Sequence, residues 1–490
     1  MNELIYASVT NLAKAIRTKK VSSQEVVSAY LRRIEAVNPQ LNAVVQLRSD
    51  EALAEARAAD EALARNEVVG PLHGVPFTAK DNIETEGVIC TSGTMGRAAF
   101  VPREDATIVA RMRGAGGILL GKTNLPELAI ATESDNLVYG RTNNPYDLAR
   151  TPGGSSGGEG AIIAAGGSPL GLANDSGGSI RIPAHFCGIA GIKPTSGRLS
   201  KAGHFPPAGG PLSAIWQPGP MARFVEDLGL ALSVMAGADS RDPSAVPMPL
   251  SDPLAVDLPS LRVAFHTDNG IMAPTPDIAA AVETSAFVLA DAGMVVEQKR
   301  PRDIEQSYEL MSGLFGADSG AGLVKFLQMI GSTEISPVVQ RYLRMMGTRG
   351  PLPMGDFMRL MFWWDKWRGD MLSFMDDYDV ILCPAGAFPA MPHGIATSFG
   401  MYPAAFVYTL TYNLTGWPAA VVRAATSTEG LPIGVQVVAR PWHEDVALAV
   451  ARLIETALGG WRPSNVELST VGGVRTEVME PAAREILAAH

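Results

Sequence analysis

The feature that most constrains this chain is a Gly-punctuated apolar run, PGGSSGGEGAIIAAGGSPLGLANDSGGSIRIPAHFCGIAGIKPT, from Pro152 to Thr195. Its opening, TPGGSSGGEG at 151–160, has the composition of a flexible linker. A linker separates domains, but here dense apolar sequence follows at once, so the segment belongs in a core. The same residues match G-x-S-x-G at Gly153, Ser155 and Gly157, the pattern of a hydrolase nucleophile elbow. That elbow needs a strand running into the serine, and NNPYDLARTPGG, with Pro145, Pro152 and paired glycines, cannot be a central strand. It also needs an acid and then a histidine downstream. His266, His393 and His443 are available, but none sits in an informative context, and each takes a structural reading. A second decoy, GGILLGKT at 116–123, fits the phosphate-loop pattern G-x-x-x-x-G-K-[ST]. Its Ile118, Leu119 and Leu120 ask for burial as a strand, and the segment before it reads as a helix, the reverse of what a phosphate loop requires.

Around this run, strand-like and helix-like segments alternate. GVPFTAK (74–80), GILLGKT (117–123) and SPLGLAND (168–175) read as strands; DATIVARMRGAG (105–116) and GGEGAIIAAGG (157–167) read as helices. Alternation of this kind predicts an α/β fold: a large mixed, parallel-rich central sheet covered by helices on both faces. Upstream, residues 1–66 read as N-terminal helices. SSQE at 22–25 is a capping box ahead of Val26, Val27, Tyr30, Leu31 and Ile34 at helical spacing, and 50–66 is an Ala-rich helix. Residues 67–300 form the core, with a Pro-rich surface crossing or hinge at 240–260. Residues 303–376 are a Met- and aromatic-rich helical insertion, either a lid or fixed core. DVILCPA (379–385) and GLPIGVQVVA (430–439) return as strands, and 443–458 closes as a helix, so 377–460 rejoins the sheet and the 490 residues make one domain.

Composition excludes several functions. A hydrophobic fraction of 47% against 18% charged argues against wholesale disorder. A net charge of −10 disfavours a nucleic-acid partner, which needs a basic stripe, and the densest basic run, RTKK at 17–20, reads as a solvated helix end. No apolar run approaches the ~20 residues that span a bilayer, and the acidic balance gives no electrostatic help to membrane association. The N-terminal sequence lacks a signal-peptide pattern, and Cys90, Cys187 and Cys383 lack metal or redox spacing. The expectation is a soluble, cytoplasmic protein with buried thiols and neither metal nor cofactor.

Three places remain: Lys80 in FTAKDN, Ser155 in GGSSGG and Ser179 in NDSGGSIRIPA. Lys80 ends an apolar strand, where a lysine either snorkels outward or is buried for use, and spacing alone favours the surface. The glycines before Ser179 allow a tight turn whose N–H groups could cradle an anion. The 152–195 run and the separately placed lysine resemble the amidase signature family, most of all its fatty acid amide hydrolase branch. The likeness is strong over about 70–200, weaker over the N-terminal helices and 430–439, and slight over 240–380.

The resemblance implies roles residue by residue. Ser179 matches the nucleophile, Ser155 the bridging serine with a cis peptide bond to Gly154, and Lys80 the base that ends the relay. The backbone N–H groups of Ser176, Gly177, Gly178 and Ser179 match an oxyanion hole. Ser156, Asp175 and Arg181 match supporting positions, although Asp175 and Arg181 alone would also read as a surface ion pair. Ala129 and Ile130, in ELAIAT, match a substrate-side segment. Phe315, Phe326, Met329, Met345, Met346, Met361, Phe362 and Trp363 offer either an apolar acyl or aryl pocket or ordinary helix core. The implied activity is serine amidohydrolysis of small, mostly apolar amides, also esters or carbamates, with homo-oligomerisation left open. The alternative is a glutaminyl-type amidotransferase subunit working only with a partner. Glu159 follows the fatty acid amide hydrolase branch, whereas the transamidation subunits usually carry Ser or Ala near it.

Overall fold

Burial on both parities of a strand needs a layer on each side of its sheet. In the computed structural model, which describes residues 2–207, 209–348, 350–395 and 406–464, seven strands are buried at every position. In chain order the strands are β1 (Val44–Leu47), β2 (Pro76–Lys80), β3 (Ile118–Thr123), β4 (Leu170–Asp175), β5 (Ala190–Lys193), β6 (Gln217–Ala222), β7 (Arg262–Phe265), β8 (Val295–Gln298), β9 (Val380–Pro384), β10 (Ala419–Thr426) and β11 (Pro432–Ala439). They form one 11-stranded sheet in the order β1-β3-β2-β4-β6-β5-β10-β11-β9-β7-β8.

The sheet is mixed, as the alternation predicts, and its parallel pairings are grouped. β3-β2-β4 and β9-β7-β8 are parallel triplets. Between them, β4-β6, β6-β5, β5-β10, β10-β11 and β11-β9 are all antiparallel, and β1 adds an antiparallel edge. The parallel character therefore marks the two wings. Of these central pairs, β10 and β11 alone are joined by a short reversal, a connection only antiparallel neighbours permit.

The N-terminal helix Ser23–Leu41 starts where the capping box predicts. Ser22 Oγ accepts from Glu25 N at 3.1 Å, and Glu25 Oε2 accepts from Ser22 N at 2.8 Å. Val26, Val27, Tyr30, Leu31 and Ile34 are all buried in the main core. The stretch 240–260 runs over the surface with two short 3-10 turns, Pro253–Ala255 and Leu258–Ser260.

The helical insertion divides in two. Its last helix, Met354–Phe374, is part of the core. Leu360, Trp364, Trp367 and Met371 pack with Ile381 of β9 and Val438 of β11, and Trp364 Nε1 donates to Leu414 O at 3.1 Å. Phe315, Met361 and Trp363 lie against the same cluster. Helices Ala321–Met329 and Pro337–Gly347 instead place Leu327 and Val339 against Leu128 and Phe205, with Phe326 packed alongside. Met329 and Phe362 belong to neither cluster and are 75% and 69% exposed.

Candidate active site

β2 lies between β3 and β4, so the strand that carries Lys80 is enclosed along its length. Lys80 is fully buried, which corrects the surface position that spacing alone favours. Its Nζ lies 2.6 Å from Ser155 Oγ and donates to Asn174 Oδ1 at 2.9 Å. Asn174 is held in turn, donating through Nδ2 to Asn82 Oδ1 at 2.9 Å. Burial pulls the Lys80 amine down to about 7, against the opposing pull of Asp175 and Glu159.

Ser155 sits two residues before the start of the helix Gly157–Ala164, and its peptide bond to Gly154 is cis. Glycine is required at 154, because a Cβ there would lie 2.7 Å from Glu133 N and 2.8 Å from Ala131 O. The turn is thereby pressed against the segment that follows Ala129 and Ile130. Those two residues are half-buried in a tight turn, with Leu128 at φ +53° and Ala129 at φ +58°. Ile130 packs against the Leu128–Phe205–Leu327–Val339 cluster, so the insertion reaches the expected substrate side. Glu127 fixes that contact, accepting from Ser336 N at 2.7 Å and Thr94 Oγ1 at 2.9 Å.

β4 ends at Asp175 and the chain turns through Ser176–Ile180 into the helix Arg181–Cys187. Ser179 is half-buried, and its carbonyl accepts from Ser156 N at 3.2 Å, which ties the two serine turns together. Ser156 Oγ also donates to Asn174 O at 3.4 Å. Asp175 shapes the turn from below: Gly178 N donates to its Oδ1 at 2.8 Å and Ile180 N to its Oδ2 at 3.2 Å. Of the four expected oxyanion donors, Gly178 is therefore engaged with Asp175. The N–H groups of Ser176, Gly177 and Ser179 have no acceptor among the described residues. A Cβ on Gly177 would meet nothing within 4 Å, so the turn opens outward there.

Asp175 and Arg181 form a fully buried pair, not a surface one. Arg181 Nε and one terminal nitrogen grip both Asp175 oxygens at 2.9 Å. The remaining donors go to Thr409 O at 2.8 Å, Gln436 Oε1 at 2.7 Å and Asn413 Oδ1 at 2.5 Å, which uses the whole guanidinium fork. Burial works against the Asp175 carboxylate, but Arg181 and Asn413 outweigh it and hold the group well below the usual carboxylate range. Thr409 closes the circle, donating through Oγ1 to Gly177 O at 2.7 Å.

Sequence reading missed Asn174, Asn82, Thr409, Asn413 and Gln436. Asn174 adjoins Asp175 at the end of a strand-like run, but only the β2–β4 pairing brings it to Lys80. Thr409, Asn413 and Gln436 lie more than 200 positions beyond Arg181 and carry no local signal. His266, His393 and His443 make no hydrogen bond with Lys80, Ser155 or Ser179 among the described residues; His393 instead lies 3.2 Å from Glu133 Oε1. Among the described residues no group of three or more His, Cys, Asp or Glu side chains could hold a metal ion, and no helix is long and apolar enough to cross a membrane. All three cysteines are free and buried.

A family model described as Amidase matches residues 25–448. Human fatty-acid amide hydrolase 2 is 33% identical over 94% of this chain and 90% of its own length. A glutamyl-tRNA(Gln) amidotransferase subunit from Chloroflexus aggregans is 35% identical over 92% of this chain and 96% of its own length. Among solved structures, 6-aminohexanoate cyclic dimer hydrolase complexed with substrate superposes with a TM-score of 0.84 at 28% identity, covering 94% of this chain and 99% of that one.

Proposed function

Because the chain belongs to the amidase signature family and is an amidase, we propose that it hydrolyses small, mostly apolar amides through an acyl-enzyme on Ser179, with Ser155 and Lys80 as the proton relay. The observation that carries this reading is the 2.6 Å contact between a fully buried amine and the Ser155 hydroxyl. A serine hydroxyl needs a base, and a lysine serves only when uncharged. An amine pulled down to about 7 meets that condition near neutrality.

The uncharged amine donates one N–H to Asn174 Oδ1, which turns its lone pair toward Ser155. Ser155 passes its proton to Lys80 and takes the proton of Ser179 as the Ser179 oxygen attacks the carbonyl carbon. The oxyanion is received by the N–H groups of Ser176, Gly177 and Ser179, while the Gly178 N–H stays with Asp175 and keeps the turn in shape. One such donor is worth about 3 kcal/mol in a transition state. The protonated lysine returns its proton through Ser155 to the leaving amine, and water then clears the acyl group by the same route. Esters and carbamates present the same carbonyl to the same nucleophile. Ala129 and Ile130 line the substrate side, with Phe326 and its neighbours in the insertion as the apolar wall. We place the enzyme in the cytoplasm, where three free cysteines stay reduced.

The experiment is covalent labelling by an aryl fluorophosphonate. Ser179→Ala should abolish it, and undiminished labelling would refute the nucleophile. The second reading, a component of a glutamyl-tRNA(Gln)-type amidotransferase, is favoured by the 35% identity to one such protein. It predicts co-purification with a partner and no amide hydrolysis by the isolated chain.

A further inference from the structure

Glu159 takes no part in the hydroxyl relay, yet it is built into the same strands. It lies in the first turn of Gly157–Ala164, just after Ser155, and is fully buried. Its Oε2 accepts from Thr78 Oγ1 at 2.6 Å and its Oε1 from Thr123 Oγ1 at 2.9 Å. Thr78 is two residues before Lys80 on β2, so their side chains share a face of the sheet. Thr123 is the β3 residue in register with Lys80. The carboxyl is therefore seated on the lysine's face, between the two neighbours that flank it. The space is specific: a Cβ on Gly171 of β4 would lie 2.0 Å from Glu159 Oε2.

The surroundings serve two protonation states. An ionised carboxylate accepts from both threonine hydroxyls. A protonated one can donate to Thr78, whose hydroxyl has other acceptors in Ser168 Oγ at 3.0 Å and Leu170 O at 3.4 Å. Burial pushes the carboxyl up to about 8, partly offset by the two threonines, Lys122 and Lys80, so it titrates in the range where Lys80 does.

We propose that Glu159 and Lys80 hold one proton between them, which makes Glu159 a positioning residue that governs how much of Lys80 is the uncharged base. The proposal rests on the Lys80 relay described above. With the proton on the carboxyl, the amine lone pair is free for Ser155. With the proton on the amine, a carboxylate remains and the lysine cannot accept. Of the other titratable groups nearby, Asp81, the residue after Lys80, is buried and accepts at one carboxyl oxygen from Thr91 N and Oγ1, its other oxygen having no partner among the described residues, and burial holds His204 down at about 3. Lys122 of β3 donates to Ile83 O and Thr85 Oγ1. Asp175 of β4 is paired with Arg181 of the helix Arg181–Cys187, and burial holds His185 of that helix down at about 4. Arg33, on the helix Ser23–Leu41, donates to Ala165 O, and β6 carries no titratable side chain.

Glu159→Gln keeps the shape and fixes the group uncharged. The rate of labelling by an aryl fluorophosphonate, followed against pH, should then keep its acid limb but move it to lower pH by about one unit, about tenfold in rate on the limb relative to the plateau. Thr123→Val removes one donor to the carboxylate and should move the limb the same way by less; it serves as the test if Glu159→Gln fails to fold. A limb unmoved in both variants, whatever happens to the plateau, would overturn the proposal and leave Glu159 a packing residue. Ser179→Ala, run alongside, separates the two claims. Persistent labelling there would sink the relay itself, whereas lost labelling with unmoved limbs would sink only the shared proton.

Discussion

Replacing Asn174 with Asp would put a carboxylate where the present acceptor lies, 2.9 Å from Lys80 Nζ. At that distance and an effective dielectric of about 20, a full charge pair is worth about 6 kcal/mol, or about four pKa units. The new carboxylate must itself be buried, which returns part of that gain, so a rise of about two units in the lysine is the working expectation. The sign follows from charge: a neighbouring anion favours the ammonium. Lys80, now titrating near 7, would remain protonated at neutral pH, and the uncharged fraction at pH 7 would fall about fiftyfold. The assay is kcat/KM against pH on one amide and its matched ester. The Asn174→Asp acid limb should shift upward by about two units, with much of the rate recovered at alkaline pH. Asn174→Ser, which removes the acceptor without adding charge, should leave the limb close to the wild-type position. If the Asn174→Asp limb coincides with wild type, Lys80 is not the group whose titration controls the rate.

Two further outcomes follow from the same geometry. Lys80 is depressed in the folded state relative to 10.5 in the open chain, so between about pH 7 and 10.5 the unfolded chain binds more protons and stability rises with pH. Lys80→Met should therefore raise the thermal midpoint most at pH 7 and progressively less toward pH 10, and a gain independent of pH would contradict this. Gly178→Ala should cost at least tenfold in kcat, because φ is +125° and the new Cβ would sit 2.2 Å from Thr409 Oγ1; steady-state kinetics with a thermal scan would check it, and wild-type values would show that the turn tolerates rearrangement.

Much of the fold was legible because its signals are local. A capping box, short apolar runs and Gly-punctuated turns each declare one element, and β2, β3, β4, β9 and β11 form where those runs lie. What was not legible is pairing. The antiparallel centre depends on how β5, β6 and β10 meet, strands that no periodicity singled out. The same limit applies at the site. Lys80 reads as a surface lysine until β3 and β4 are known to flank it, and Asp175–Arg181 reads as an exposed pair until Thr409, Asn413 and Gln436 close over it. Glu159 shows the point most sharply, since only the register of β2 with β3 reveals that its carboxyl shares a face with Lys80.

In the proposed relay an uncharged lysine takes up the nucleophile's proton and later returns a proton to the leaving group. Lys80→Ala, assayed on a matched amide and ester, tests this directly, because an amine leaves only when protonated and an alkoxide needs less help. The amide-to-ester rate ratio should drop well below the wild-type value. An unchanged ratio, with both substrates slowed equally, would contradict the relay.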